Sequence, residues 1–532
     1  MRLTKALSTI MAIMLIIAVI PFGAFTVSEE TSGYYTYTIS KGEATITDVV
    51  TSISGNVSIP STLGGCPVTS IGWHAFGGCT GLKSVTIGNG ITSIGDNAFS
   101  GCTGLTLITI PDSVTSIGMQ AFEGCSGLRS VTIGNSVTSI GGGAFDDCTK
   151  LMSITIPDSV TSIGLGAFEN TGYYNDESNW ESGVLYICNH LIKIKKDVIR
   201  GDYAIKPGTK TIADAAFGST NYEPAYYPDL KSVSIPNSVI SIGKYAFFGC
   251  NGLKSITIPN SVISIGSYAF CSCVEFTSVT IPDSVTAIGE HAFSECKKLT
   301  YIAIPDSVTS IGLEAFENTG YYNDKNNWED GILYICNHLI EAKYEFVDRI
   351  CTIRAGTKTI AEYAFARKPY DIFNSLYEKY PGPTSVIIPD TVTVISDYSF
   401  LCCTGLESIT IPTSVTTIGL CAFSKCDNLK DVYYGGSKEQ RFKIRINDDQ
   451  LPSLFDLGDN KQEYSNMNIT YATWHYNSIS NQKQAIPKAG ILIIIMCFVC
   501  LLIALVLLGS ILKKSHKAKS KYCTDSSKSL KK

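Results

Sequence analysis

Charge is scarce in this chain. Asp, Glu, Lys and Arg make up 17% of its 532 residues, against 45% apolar residues. Such a balance excludes an intrinsically disordered chain, which needs low hydrophobicity and high net charge. Histidine is scarcer still, with six scattered residues. His190 and His338 occupy matching hairpin positions and His74 and His291 sit at variable repeat positions, so all four read as surface or turn histidines. There is no H-E-x-x-H, no G-x-S-x-G, no phosphate-binding loop and no paired Asp/Glu motif. A catalytic site should be singular, and nothing in this chain is. No catalytic residue, metal ligand or cofactor is therefore expected. The net charge of −5 includes a Lys-rich tail near +7 and a leader of +2, which leaves the part between them near −14. That acidity argues against nucleic acid as a partner.

The two ends carry the long apolar runs. Arg2 and Lys5, the greasy stretch 6–20, and then Pro21, Gly23 and Ala24 have the layout of a secretory signal peptide, assigned to 1–28 with cleavage near Thr26 to Ser28. Between Gly490 and Leu512, 23 residues carry no charge, which as a helix reaches roughly 34 Å, enough for a bilayer core. Eight Lys and a single Asp follow in 513–532, the positive-inside pattern of a cytoplasmic tail. The expectation is a single-pass cell-surface protein, spanning at 487–512, with its N-terminal part outside.

Between the ends the chain repeats itself. Phe76, Phe99, Phe122, Phe145 and Phe168 recur every 23 residues, and the series resumes at Phe217, Phe247, Phe270, Phe293, Phe316, Phe365, Phe400 and Phe423. The unit is clear at 104–126, GLTLITIPDSVTSIGMQAFEGCS. Leu105, Ile108 and Ile110 point inward around an outward Thr109, the period of a strand. Pro111 ends that strand. Val114 and Ile117 bring a second short strand to the core, Gly118 permits the next turn, and Ala121, Phe122 and Cys125 close the coil. The pattern predicts a β-rich leucine-rich-repeat solenoid with parallel sheets over 66–430, an N-terminal cap at 29–65, and a cap and stalk at 431–486. Stability in such a stack is nearest-neighbour, and its ends need caps.

The string IPDSVTSIG..AF..C..L resembles the BspA-like class of leucine-rich repeats over roughly residues 60–430. The later VYYGGSKEQ and ITYATWHYN are similar to the terminal unit of bacterial members. The resemblance implies a surface protein that adheres to host cells, matrix proteins or other microbes. A hydrophobic span here takes the place of the wall-sorting motif or binding repeats of many bacterial surface proteins.

Three insertions interrupt the period, at 169–212, 317–360 and 367–383. The first two are copies offset by 148 residues, ENTGYYNDESNWESGVLYICNHLIKI and ENTGYYNDKNNWEDGILYICNHLIEA. VLYI or ILYI, then Cys-Asn, then HLI reads as a hairpin, with Asn189 or Asn337 in the left-handed turn position. These hairpins are expected to project from the solenoid and to be removable without unfolding it. Their aromatic residues, Tyr173, Tyr174 and Trp180 with Tyr321, Tyr322 and Trp328, are the candidate ligand-binding residues, with packing of the insertion as the alternative. The third insertion, with DIFNSLYEKY, has an amphipathic flavour.

Nine of nineteen cysteines fall three residues after a repeat Phe: Cys79, Cys102, Cys125, Cys148, Cys250, Cys273, Cys296, Cys403 and Cys426. A fixed phase makes them a core column. At the strand spacing of about 4.8 Å they lie too far apart for an unstrained disulfide. Cys497 and Cys500 form C-x-x-C inside the span, where a redox role is implausible. Thr86, Thr109, Thr132, Thr155, Ser234, Thr257 and Thr280 form an outward hydroxyl strip, read either as ordinary strand surface or as a docking surface. Asn56 and Asn468 stand in glycosylation sequons. The expected function is binding of an extracellular protein or glycan, such as host matrix or another cell. The alternatives are a passive coat or spacer and, less favoured, an extracellular hydrolase.

Overall fold

A computed structural model describes residues 29–195, 198–218, 229–343, 350–366, 382–447, 469–470 and 472–477. The leader, most of the 367–383 insertion, Asn468, the apolar run and the Lys-rich tail lie outside them. Among the described residues no helix is long and apolar enough to cross a membrane.

Each repeat is one coil with three walls. The first is a strand such as Leu107–Thr109, paired in parallel and in register with its copies, Ile108 opposite Val131 and Val131 opposite Ile154. The second is a two-residue strand, Ser116–Ile117, with Ile117 between Ile94 and Ile140. Side chains alternate across each strand. The aliphatic residue therefore turns in and the Ser or Thr beside it turns out, so a strict 23-residue repeat keeps one composition on each face.

The third wall, around Ala121 and Phe122, has no strand or helix. Successive coils are joined there by hydrogen bonds that all run one way, Asn97 N–H to Met119 O, Phe99 N–H to Ala121 O and Gly101 N–H to Glu123 O, at 2.7–2.8 Å. Two left-handed residues per coil turn these donors along the stack, Asn97 and Gly101 in one coil and Gln120 and Gly124 in the next. The expectation that Gly118 supplies the turn is corrected. Its φ is not positive; a Cβ there would meet backbone of the previous coil, Asp96 N and Gly95 C, both at 2.5 Å. Close approach of two chains, not left-handedness, requires glycine at this place.

Inside the walls the Phe rings stack face to face with centroids 4.5–5.5 Å apart. The phase-locked cysteines are buried and their thiols are free. Several of these thiols donate to the Phe carbonyl of the preceding coil, as Cys125 does to Phe99 O at 3.2 Å and Cys273 to Phe247 O at 3.2 Å. The column is thus polar enough to satisfy a backbone acceptor as well as small enough to fit.

At the N-terminal end Glu30–Ser32, Tyr35–Ser40 and Glu43–Val49 form an antiparallel meander, and the last of these joins Cys66–Ile71 in parallel. At the other end the ladder runs further than the repeat motif suggests. Asp431–Tyr434 pairs in parallel with Ser408–Ile411, and Thr473–Tyr476 pairs with Asp431–Tyr434 in turn.

The twin hairpins do not project. Val184–Ile187 pairs with His190–Ile194, which then lies parallel to Thr211–Ile212 as a layer of the second wall. Ile332–Ile335, His338–Ala342 and Thr359–Ile360 repeat the arrangement. VLYI and ILYI are buried at every position, the pattern of strands covered on both faces. Across the first hairpin the two faces serve different cores. Leu185, Ile187 and Ile192 belong to a core reaching back to Tyr37. Val184, Tyr186, Leu191 and Ile194 belong to one reaching forward to Ile469. The second hairpin lies wholly within that forward core. In both turns the cysteine takes the left-handed conformation, Cys188 at φ 51° and Cys336 at φ 52°, and the asparagine expected there does not.

Candidate binding surfaces

Thr171, itself fully buried, caps the short helix Gly172–Asn175 by accepting from Tyr174 N–H. That helix places Tyr173 and Tyr174 beside Trp180, and all three are half-buried. Trp180 Nε1–H donates to Tyr174 O at 2.7 Å, and the Tyr173 hydroxyl donates to Tyr186 O at 3.3 Å. The Tyr174 and Trp180 rings meet edge to face at 5.1 Å, with Lys195 over the indole at 4.6 Å. The second copy matches: Trp328 to Tyr322 O at 2.8 Å, Tyr321 to Tyr334 O at 3.1 Å, rings at 5.2 Å, and Lys343 over Trp328 at 4.0 Å. The structure brings together the three residues of each copy, and they rest on the adjoining core.

His190 and His338 are not at the surface, which corrects the sequence reading. Both are fully buried where the hairpin strand joins the wall. Nε2 faces Pro157 O at 3.2 Å in one and Pro305 O at 3.1 Å in the other. Nδ1 of each has no partner, and burial pushes both imidazoles below their ordinary pKa.

The hydroxyl strip is open but divided among three sheet segments, with Ala204 standing in it opposite Ser234. Thr86, Thr109, Thr132, Thr155, Ser234, Thr257 and Thr280 are all exposed. A second column, Ser84, Ser130, Ser153, Ser232, Ser255 and Ser278, runs beside it, interrupted by the exposed side chains of Leu107 and Tyr301. The Thr column carries no charge, whereas the exposed carboxylate of Asp202 stands in the second column opposite Ser232 and accepts from its hydroxyl at 2.6 Å. Asn56, on the first strand of this sheet, is exposed and its side-chain carbonyl accepts from the Ser84 hydroxyl at 2.9 Å.

Repeating coils with uniform outer faces define a solenoid scaffold. The model of the BspA type leucine rich repeat region matches six times, over residues 52–175, 210–341 and 370–443. The chain belongs to the BspA-type leucine-rich-repeat family. Among solved structures it is similar to a leucine rich cell surface protein from Faecalibacterium prausnitzii A2-165, at 26% identity over 79% of this chain and 97% of that one, TM-score 0.25. A leucine-rich repeat protein from Bacteroides ovatus ATCC 8483 matches at 21% identity over 84% and 99%, TM-score 0.23. Another from Bacteroides capillosus ATCC 29799 matches at 30% identity over 28% and 95%, TM-score 0.21. A search of curated proteins gives no match.

Proposed function

We propose that this chain is a cell-surface binding protein, not an enzyme, and that its hydroxyl-rich outer sheet is the face that takes an extracellular protein or glycan. The observation that carries this reading is the exposed Thr column, flanked by a partly exposed Ser column and held in register along each sheet segment. Each Ser or Thr hydroxyl both donates and accepts, and short side chains lose little rotamer freedom when a partner covers them. An extended chain, peptide or sugar, could run along the strip from Thr86 to Thr155 without meeting a charge. The polar groups of Tyr173, Trp180, Tyr321 and Trp328 already donate to backbone carbonyls, and we assign these aromatic residues, with Tyr174 and Tyr322, to closing the adjoining core. A signal peptide at 1–28 and a span at 487–512 would hold the sheet outside the cell.

The test is retention of the full chain on immobilised matrix proteins and on glycan arrays, with and without the triple substitution Thr109→Lys, Thr132→Lys and Thr155→Lys. These positions are exposed, so the chain should still fold, with its melting temperature lowered only by the repulsion of neighbouring lysines. Retention on any surface that holds the native chain should fall at least tenfold. Equal retention would exclude the sheet, and no retention of the native chain on any surface would favour a passive coat.

A further inference from the structure

The twin insertions differ in charge at matching positions, and in the first copy those positions line a small cleft. In the first copy Gly166, Glu169, Tyr174, Lys193 and Asp214 line it. The Lys193 ammonium is seated there, donating to Ala215 O at 2.8 Å and Gly218 O at 3.0 Å. Asp214 is backed by Lys244, whose backbone N–H donates to it at 2.7 Å. Two carboxylates thus face two lysines.

The second copy, 148 residues on, keeps the carboxylates and replaces the lysines and a glycine by acidic residues. Gly166 becomes Glu314, Lys193 becomes Glu341 and Asp214 becomes Glu362, while Glu169 is kept as Glu317. Two glycines of the coil before, Gly142 and Gly143, become Glu290 and His291. Lys244, three residues before its repeat Phe, is answered by Asp397, three before Phe400. A neutral cleft has become one with six carboxylates and an imidazole. Burial, then the charges of Asp397 and Glu290, push the Glu362 carboxyl up to about 7.

Three of these groups converge. One ligand atom from each of His291, Glu314 and Glu317 lies within 4.8 Å of the others. His291 Nδ1 is 3.4 Å from Glu314 Oε2, and the side chains are 18% and 4% exposed. Two zinc-type bonds of about 2.0–2.1 Å at a tetrahedral angle hold their donor atoms about 3.3 Å apart. The ring is fixed on both sides, stacked on Tyr268 at 4.6 Å and with Nε2 3.5 Å from Glu290 Oε1. A carboxylate on the second imidazole nitrogen is the usual outer partner of a metal-bound histidine.

We infer that the second cleft binds one divalent transition-metal ion, Zn²⁺ by preference, through His291, Glu314 and Glu317, where the first cleft holds the Lys193 ammonium. An imidazole with two carboxylates favours zinc over calcium, whose sites are built from oxygen alone. The ligands come from two coils before the second hairpin, and Glu341 and Glu362 from the hairpin and the coil after it. The ion therefore ties together the two coils on which the second hairpin rests. This site is independent of the hydroxyl sheet.

The experiment titrates Zn²⁺ into the full chain after chelator treatment and follows melting temperature. The native chain should bind one Zn²⁺ and melt higher with it. His291→Gln and Glu314→Gln should each weaken binding at least tenfold, while Glu169→Gln in the first cleft leaves it unchanged. Glu341→Lys restores the first cleft's ammonium beside the carboxylates, and should weaken Zn²⁺ binding without lowering the melting temperature of the metal-free chain. Co²⁺ in place of Zn²⁺ should give a spectrum free of the thiolate charge-transfer band, which separates this site from the cysteines. Zinc affinity equal in the native chain and in both ligand variants would overturn the proposal. So would a thiolate-type Co²⁺ spectrum, or a preference for Ca²⁺.

Discussion

A histidine enclosed without a second partner is the weakest kind of residue to protonate. His190 and His338 have one ring nitrogen against a proline carbonyl and the other against nothing. Burial lowers both; Asp158 and Asp306 raise them slightly, and Lys210 and Lys358 lower them. The folded pKa lies below the unfolded value of about 6.5, so the unfolded chain binds more protons in the interval between the two. The stability contributed by the neutral rings is therefore full above about 6.5 and is lost as pH falls toward the folded value. Melting followed from pH 8 to pH 5 should drop, and the double variant His190→Gln, His338→Gln should flatten that drop. An equal slope in both proteins would clear the histidines. Glycine gives a second residue-level expectation. Gly118→Ala places a Cβ 2.5 Å from backbone of the previous coil and should cost at least about 1–3 kcal/mol, read by denaturant titration. The Phe and Cys columns were legible in the sequence because a core that repeats must repeat its residues. The burial of His190 was not, since a Cys-Asn-His string looks like an exposed turn until the hairpin is known to lie within a wall. His291, Glu314 and Glu317 escaped for a related reason: at intervals of 23 and 3 residues they form no local motif, and only stacking brings them together.

At the scale of the element, the hairpins are layers of the stack and not appendages. Their apolar strands, VLYI and ILYI, run without alternation, and that was the available signal for burial on two faces. The same strings also fit a surface hairpin, because insertions in a solenoid commonly lie on its outside. Replacing 172–200 by a short flexible link should consequently unfold the coils on both sides, seen as lost protection in hydrogen exchange around Phe168 and Phe217. Leu185→Ala removes a fully buried side chain and should cost about 2–5 kcal/mol. Its effect should fall on the N-terminal core, because Leu185 faces backward. Leu191→Ala should instead loosen the core that follows, because Leu191 faces forward. Matching exchange patterns in the two variants would contradict the division.

Among the described residues the repeats make near-identical contacts with their neighbours, so a local defect should stay local. Phe270→Ala should open the coils near 247–293 first, whereas uniform loss of protection along the chain would mean a single cooperative unit. Orientation at the membrane has its own check. Protease added to intact cells should remove an epitope placed within the repeats and spare one placed after Lys532, and the reverse result would overturn the proposed topology. The first hairpin gives the column a further property, one that matters under load. Pulled from its two ends, a stack of this kind tears coil by coil, each 23-residue turn releasing about 80 Å of chain. A tear spreads easily where each ring leans only on the next. At Val184–Ile194 it meets a strand pair that grips both cores at once, and there it should stall. A force trace would show short even steps, then a pause at a higher force, before the second half begins to ravel.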